Sequence, residues 1–241
     1  MTARPDLSLV LPVHDERDTV ASLVAEICTA LGDRAFEIVA VDDASADGSR
    51  EELLRVARAE PRLRVLALRA RGGQSAALAA GWTAARGRIV ATLDADGQND
   101  PADLPALLAR LEADPGLAAV VGARAGRSDS RWKLVQSRVA NTFRDWLTGD
   151  RVRDTGCGLK VIRREALATL PQFDGMHRFL PTLLRLAGGR VAEAPVRHRP
   201  RRAGRSKYGM WNRATRGLRD ALGVRWLTHR RLRADAEELS H

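Results

Sequence analysis

The sequence predicts an α/β fold built on one mostly parallel central sheet, and three observations predict it. Apolar runs of strand length alternate with segments of helical period through the first half of the chain. Clusters of polar residues fall directly after those runs. The 241 residues contain nothing resembling a flexible linker, so the chain reads as a single Rossmann-like domain over 1–228 with a solvated tail over 229–241.

Leu7 to Val13 is a continuous apolar run, the pattern of a strand buried on both faces. A helical period follows over Thr19–Leu31, and Phe36–Val41 is a second strand. Asp47-Gly-Ser supplies the start signal for a helix over Ser49–Ala59. Arg64–Leu68 is the third strand, Gln74–Arg86 an alanine-rich helix and Arg88–Leu93 the fourth strand. Asp100 and Pro101 have the chemistry of an N-cap and a first helical residue, opening a helix to Glu112. Such βαβα order places helices on both faces, and ligands of open sheets bind beyond the carboxyl ends of the strands. Those ends carry Pro12-Val-His-Asp-Glu16, Asp42-Asp-Ala-Ser45 and Asp94-Ala-Asp96.

Composition narrows the function. No apolar run approaches the roughly 18 to 20 residues of a membrane span, and the N-terminus leads into a strand without a signal-peptide core, so a cytoplasmic location is expected. Cys28 and Cys157 suggest neither a disulfide framework nor a zinc site, and both are expected to be reduced. The net charge of +10 favours nucleic acid, anionic lipid or a phosphorylated ligand. Aromatic residues make up 4%, with no aromatic-rich strand on which bases could stack, which sets nucleic acid aside as a partner. Lysine occurs only at 133, 160 and 207, so the charge is carried by arginine, which grips phosphate oxygens in a bidentate fork.

Asp94 and Asp96, two apart on an extended segment, share one side. Like charges that close call for a shared proton, a neighbouring cation or a bound metal, and a hard oxygen site suits Mg2+ or Mn2+. Gln98 offers a further oxygen. Read without a metal, the same residues are an acidic turn capping the next helix. Other α/β chemistries fit less well. The glycine pair Gly72-Gly73 follows the third strand, where a dinucleotide-binding turn would follow the first, and a P-loop is absent. An aspartyl phosphotransferase would carry its acidic pair on the first strand, and here it closes the fourth.

Four stretches, Leu9-Val-Leu-Pro-Val-His-Asp-Glu16, Val41-Asp-Asp-Ala-Ser-Ala-Asp-Gly48, Gly73-Gln-Ser-Ala-Ala-Leu78 and Leu93-Asp-Ala-Asp-Gly-Gln98, resemble a family 2 glycosyltransferase of the GT-A fold. Val121-Gly-Ala-Arg124, Asp154-Thr-Gly-Cys-Gly-Leu-Lys160, Met176-His-Arg-Phe-Leu180, Val196-Arg-His-Arg-Pro-Arg201 and Gly204-Arg-Ser-Lys-Tyr208 narrow the resemblance. They are similar to the polyprenyl-phosphate glycosyltransferases of the dolichol-phosphate mannosyltransferase type. The similarity spans roughly residues 7 to 228. His14 and Arg71 depart from it, since relatives often have Asn there, and many relatives carry C-terminal membrane helices that this sequence lacks.

The resemblance implies an inverting transfer of a hexose, mannose favoured, from a GDP- or UDP-linked sugar to a polyprenyl phosphate, dolichyl or undecaprenyl. Asp94, Asp96 and Gln98 are implied to hold a divalent cation that neutralises the departing diphosphate. Pro12, Val13, Glu16, Asp43 and Asp94 are implied to line the nucleotide-sugar pocket, with Gly73 letting the backbone approach. Arg124, Arg138, Arg202, Ser206 and Lys207 are the implied grip on the acceptor phosphate, and the last three belong to a segment that orders over substrate in relatives. Asp96 and Asp154 are the catalytic candidates. Asp154 reads either as a general base or as a group that orients the acceptor or steadies charge at the sugar.

Val135, Val139, Thr142, Phe143 and Trp146 fall on one helical face, as do Trp211, Thr215, Leu218, Leu222 and Trp226. Two such basic amphipathic segments, near 135–147 and 211–227, suit a peripheral enzyme on the anionic inner face of the cell membrane. The alternative is packing on the core, on a second copy of the chain or on a membrane protein. Two other functions stay open at this level: transfer to a saccharide hydroxyl, and a non-catalytic scaffold binding nucleotide sugar or anionic lipid.

Overall fold

The structure is a computed structural model that describes residues 4–124, 154, 156–200, 219–227 and 230. Four strands, β1 (Leu7–Val13), β2 (Phe36–Asp42), β3 (Leu63–Ala67) and β4 (Ile89–Thr92), alternate with α1 (Arg17–Leu31), α2 (Ser49–Ala59) and α3 (Gly73–Ala84). The elements expected over residues 7–112 are present, with ends displaced by at most two residues. The helix expected from Pro101 divides into a 3-10 turn, Pro101–Asp103, and α4 (Leu104–Ala113). Pro105 has no N–H to give the carbonyl of Pro101, so that carbonyl accepts from Leu104 instead and the turn stays tight. Asp100 caps it, accepting from the Ala102 N–H at 3.0 Å.

β5 (Leu117–Arg124), β6 (Lys160–Arg163), α5 (Arg164–Ala168), α6 (Leu180–Leu186), β7 (Arg190–Val196) and α7 (219–227) complete the described chain. The seven strands run in the order β3-β2-β1-β4-β6-β5-β7. β6 alone is reversed, antiparallel to β4 and to β5. That reversal places its amino end, Lys160, opposite Thr92 of β4 and Val121 of β5. The turn that precedes β6 therefore reaches the same rim as the loops that follow the parallel strands. β7 ends beside Arg124, with Val196 as its partner, and delivers the next residues to that rim as well.

A core forms on each face of the sheet. Leu7, Leu9, Leu11 and Val13 of β1 enter one with α1 and α4, while Val10 enters the other with α3, Leu183 and Val224. This is the two-residue alternation of a strand covered on both sides. Among the described residues no helix is long and apolar enough to cross a membrane.

The opposite rim is tied by a buried polar knot. Glu37 Oε1 accepts from Ser8 Oγ (2.6 Å) and from the Arg86 N–H (2.7 Å), and Oε2 accepts from Arg64 Nη1 (2.6 Å). Ser8 Oγ in turn accepts from the Gly87 N–H at 2.8 Å, so the loop into β4 is pinned to β1 and β2. Burial pushes the Glu37 carboxyl up, but its bonds to Ser8, Arg64 and Arg86 outweigh that and hold it below its ordinary value. A lowered folded pKa adds stability above the unfolded value that is lost as pH falls through the folded one. Glu37→Ala is expected to lose about 1–3 kcal/mol in denaturant unfolding near neutral pH, with the deficit shrinking in acid; a deficit that stays constant down to acid pH would contradict this account.

Candidate active site

The loop after β1 is zipped to the loop after β2. Asp15 N–H donates to Ser45 Oγ (3.0 Å), Glu16 N–H to Ser49 Oγ (2.8 Å) and Ala46 N–H to Asp15 Oδ1 (2.9 Å). These bonds hold Asp15 and Ala44 at φ of 53° and 51°, a conformation rare for residues with a side chain and common at functional rims. Pro12 and Val13 pair with Val41 and Asp42 along the sheet, with Val13 turned into the core, so the loops carrying Glu16 and Asp43 leave the sheet side by side.

The adjacent aspartates serve different ends. Asp42 is fully buried against Arg50, at 2.7 Å, and braces α2 from within. Asp43 accepts from the N–H groups of Gly72 (2.6 Å) and Gly73 (2.9 Å), which stations the glycine pair at the start of α3. Gly73 has φ of 81°, the left-handed region that favours glycine. The same turn carries Gln74, whose Nε2 donates to Asp94 Oδ1 at 2.8 Å.

Asp94 lies close against the turn before β6. A Cβ on Gly158 would stand 2.2 Å from its Oδ2, so a larger residue there would have to displace the Asp94 carboxylate. Burial first, and the charge of Asp96 second, raise the Asp94 carboxyl to about 6, against the pull of Lys160, Arg124 and Gln74. Lys160 is itself buried, donating to the carbonyl of Cys157, and burial lowers its pKa. Asp96 accepts from the Gln98 N–H at 3.1 Å. Among the described residues no group of three or more His, Cys, Asp or Glu side chains could hold a metal. Two carboxylates and the Gln98 amide oxygen nonetheless fit a hard cation that completes its shell with substrate oxygens and water, the habit of Mg2+. A cation bound between Asp94 and Asp96 would offset both the burial and the like charge that raise the Asp94 carboxyl.

Arg124 and Asp154 meet as a fork. Arg124 Nε donates to Asp154 Oδ2 at 2.6 Å and Nη2 to Oδ1 at 2.9 Å, with side chains only 17% and 14% exposed. The Arg124 backbone N–H (3.3 Å) and the Gly156 N–H (3.2 Å) reach the same carboxylate. Beyond β7, Arg197 pairs with Asp103 (3.0 Å) and Asp100 (3.2 Å), and Arg199 with Asp100 (2.6 Å) and Glu26 (2.5 Å). The Arg199 N–H also donates to the carbonyl of Gln98 at 2.8 Å. Residues 197–199 thus strap the backbone of the Gln98 loop. On the far side, Ser75 Oγ lies 2.8 Å from His177 Nδ1 and accepts from the Gly175 N–H at 3.1 Å. Burial, then Arg178 and Lys160, push His177 down to about 3, so its ring is neutral.

Arg138, Arg202, Ser206 and Lys207 lie outside the described residues, as do the 135–147 segment and Trp211, Thr215 and Leu218. In α7, Ala221 and Val224 enter the core, whereas Leu222 and Trp226 of the expected apolar stripe are 52% and 60% exposed. Arg230 stands 5.7 Å over the Trp226 ring. Gln74, Gly158, Lys160 and the Ser75–His177 contact were not singled out from the sequence. Their positions inside the motifs around Gly73, Asp154 and Met176 are the signal that could have found them.

The comparisons agree with this geometry. A family model described as glycosyl transferase family 2 matches residues 8–170. The chain belongs to that family. A dodecaprenyl-phosphate galacturonate synthase from Rhizobium johnstonii is 36% identical over 225 residues, covering 91% of this chain and 66% of the relative. An undecaprenyl-phosphate 4-deoxy-4-formamido-L-arabinose transferase from Salmonella paratyphi B is 34% identical over 206 residues, covering 84% and 62%. The chain thus spans less than two thirds of these relatives' lengths. Two solved structures share the fold: glucosyl-3-phosphoglycerate synthase from Mycobacterium tuberculosis in complex with phosphoglyceric acid (TM-score 0.68, 22% identity, 94% of this chain and 80% of that one) and a mannosyltransferase from Pyrobaculum calidifontis in complex with GDP-Man and Mn2+ (TM-score 0.64, 22%, 95% and 71%). The GT-A expectation for this family 2 chain is borne out.

The raised Asp94 carries a sign that can be tested. Its folded pKa lies above the unfolded value, so it favours folding in acid and loses that contribution as pH rises through about 6. In metal-free protein at about pH 7.5, Asp94→Asn is expected to gain about 1–2 kcal/mol and a higher Tm. Mn2+ is expected to raise the Tm of the parent and not of the variant. A lower Tm for Asp94→Asn without metal would show that its charge is already compensated.

Proposed function

We propose that this family 2 chain moves a hexosyl group from a nucleoside-diphosphate sugar to a polyprenyl phosphate. The observation that carries the reading is the pairing, on one rim, of the Asp94–Asp96 carboxylates after β4 with a largely buried guanidinium fork at the end of β5, across β6. The first fits a cation-bound diphosphate; the second fits a second anion brought beside it. Both named relatives act on a polyprenyl phosphate, which supports the acceptor class.

Asp94, Asp96 and the Gln98 amide oxygen hold the divalent cation, Mg2+ or Mn2+, which when bound neutralises the charge that builds on the diphosphate as it leaves. The zipped loops carrying Pro12, Val13, Glu16 and Asp43 form the nucleoside side. Arg124 screens the acceptor phosphate, with Arg138, Arg202, Ser206 and Lys207 as its further partners. Mannose is the sugar the sequence resemblance favours, carried on GDP or UDP, and the sugars in the relatives' names extend the range to a galacturonate and a formamido-arabinose. Leu222 and Trp226, exposed among arginines, suit contact with the inner membrane face, where the lipid acceptor lies.

The test offers labelled GDP-mannose, UDP-glucose and UDP-galacturonate separately, with undecaprenyl phosphate in detergent. Label is expected in the organic phase with Mg2+ or Mn2+, abolished by EDTA and reduced about a hundredfold or more in Asp96→Ala. Nucleotide release only when a saccharide is supplied would instead make the acceptor a hydroxyl. Absence of turnover with every donor would favour a binding scaffold.

A further inference from the structure

Asp154 sits where a transferase of this kind could use a base, yet its carboxylate is already committed. It accepts from Arg124 Nε and Nη2 at 2.6 and 2.9 Å, and from the backbone N–H groups of Arg124 and Gly156 at 3.3 and 3.2 Å. Four N–H groups, two of them from a cation, occupy the lone pairs a base would need. Arginine has five N–H donors, and the fork uses the Nε proton and one on Nη2. Among the described residues no acceptor takes the three on the Nη1–Nη2 edge. A second anion can be gripped bidentately along that edge without breaking the first pair.

We infer that Asp154 is a positioning residue that holds Arg124 by one edge so that the other edge receives the phosphate of the acceptor. The inference rests on the function proposed above, and the chemistry of that transfer agrees with it. An ionised phosphate oxygen attacks the anomeric carbon and forms the new C–O bond. The bond from that carbon to the nucleoside diphosphate breaks, and its electron pair stays on the diphosphate. No proton changes hands, so no base is required. What the step does require is an anion held close to another anion. A long side chain such as arginine loses rotamer freedom when it grips a ligand, and a side chain fixed beforehand by Asp154 loses less on binding. Arg124 stands at the end of β5, one strand from Asp94, and feels that carboxylate's charge. A phosphate on its outer edge therefore lies beside the site proposed for the diphosphate.

The experiment uses the full chain with undecaprenyl phosphate and whichever donor of the panel supports turnover. Asp154→Asn is expected to raise the acceptor KM about 10- to 30-fold, with kcat within about threefold and the donor KM unchanged. Arg124→Lys is expected to raise the acceptor KM by a similar factor, and combining the two variants to add less than about threefold, because they act as one unit. A kcat lower by about a hundredfold at unchanged acceptor KM would assign Asp154 to proton transfer and overturn the inference. An Asp154→Asn enzyme with unaltered constants would overturn it equally.

A second readout does not depend on turnover. Farnesyl phosphate, titrated calorimetrically, is expected to bind Asp154→Asn about tenfold more weakly than the parent; equal affinities contradict the clamp. Should Asp154→Asn lose its fold by circular dichroism, Asp154→Glu, which keeps the charge and displaces the fork, is read by the same measurements. The arms separate the two claims. A parent that binds farnesyl phosphate through the fork yet glycosylates only saccharides sinks the proposed function and leaves the clamp standing. A parent that glycosylates polyprenyl phosphate, with an indifferent Asp154→Asn, sinks the clamp alone.

Discussion

A half-buried carboxylate beside another carboxylate has to be compensated, and Gln74, Lys160 and Arg124 each contribute to that at Asp94. Burial first and the Asp96 charge second still hold its carboxyl above the ordinary value. Only the reversed strand could bring Lys160 and Gly158 there, because a parallel strand would have carried its amino end to the opposite rim. Gly158 then decides how closely that turn can approach. In the proposed transfer a divalent cation would supply the remaining charge.

The first turn of α3 joins the parts of the site. Gly72 and Gly73 bind Asp43, Gln74 binds Asp94, and Ser75 meets Gly175 and His177. Positive partial charge at a helix N-terminus favours the two carboxylates held there. The zipped loops after β1 and β2, the acidic pair and the loop ahead of α6 therefore share one rigid element. Asp220 of α7 approaches Arg178 at 3.5 Å, which extends the same chain of contacts to the helix carrying the exposed Trp226.

Arginine is abundant in this chain, but much of it is already engaged. Arg34, Arg50, Arg62, Arg64, Arg88, Arg190, Arg197 and Arg199 each pair with a carboxylate. The exposed pairs contribute little to stability, yet they limit what the net charge says about ligands. Arg197 and Arg199 illustrate this, since they strap the loop that carries Gln98. Arg124 differs because, among the described residues, its pairing with Asp154 uses one edge of the guanidinium and no partner takes the other.

The sequence by itself determined the first four strands and the helices between them, because buried parallel strands and amphipathic helices have distinct periods. It also placed Asp43, Asp94 and Asp96 at strand ends, where a parallel sheet gathers its ligands. It did not determine the order of β5, β6 and β7, since short apolar runs carry no mark of direction. Nor could it pair Arg124 with Asp154, thirty residues apart, or Gln74 with Asp94. Those contacts follow from the reversal of β6 and the docking of α3, and only the packed sheet fixes which side chains share a rim.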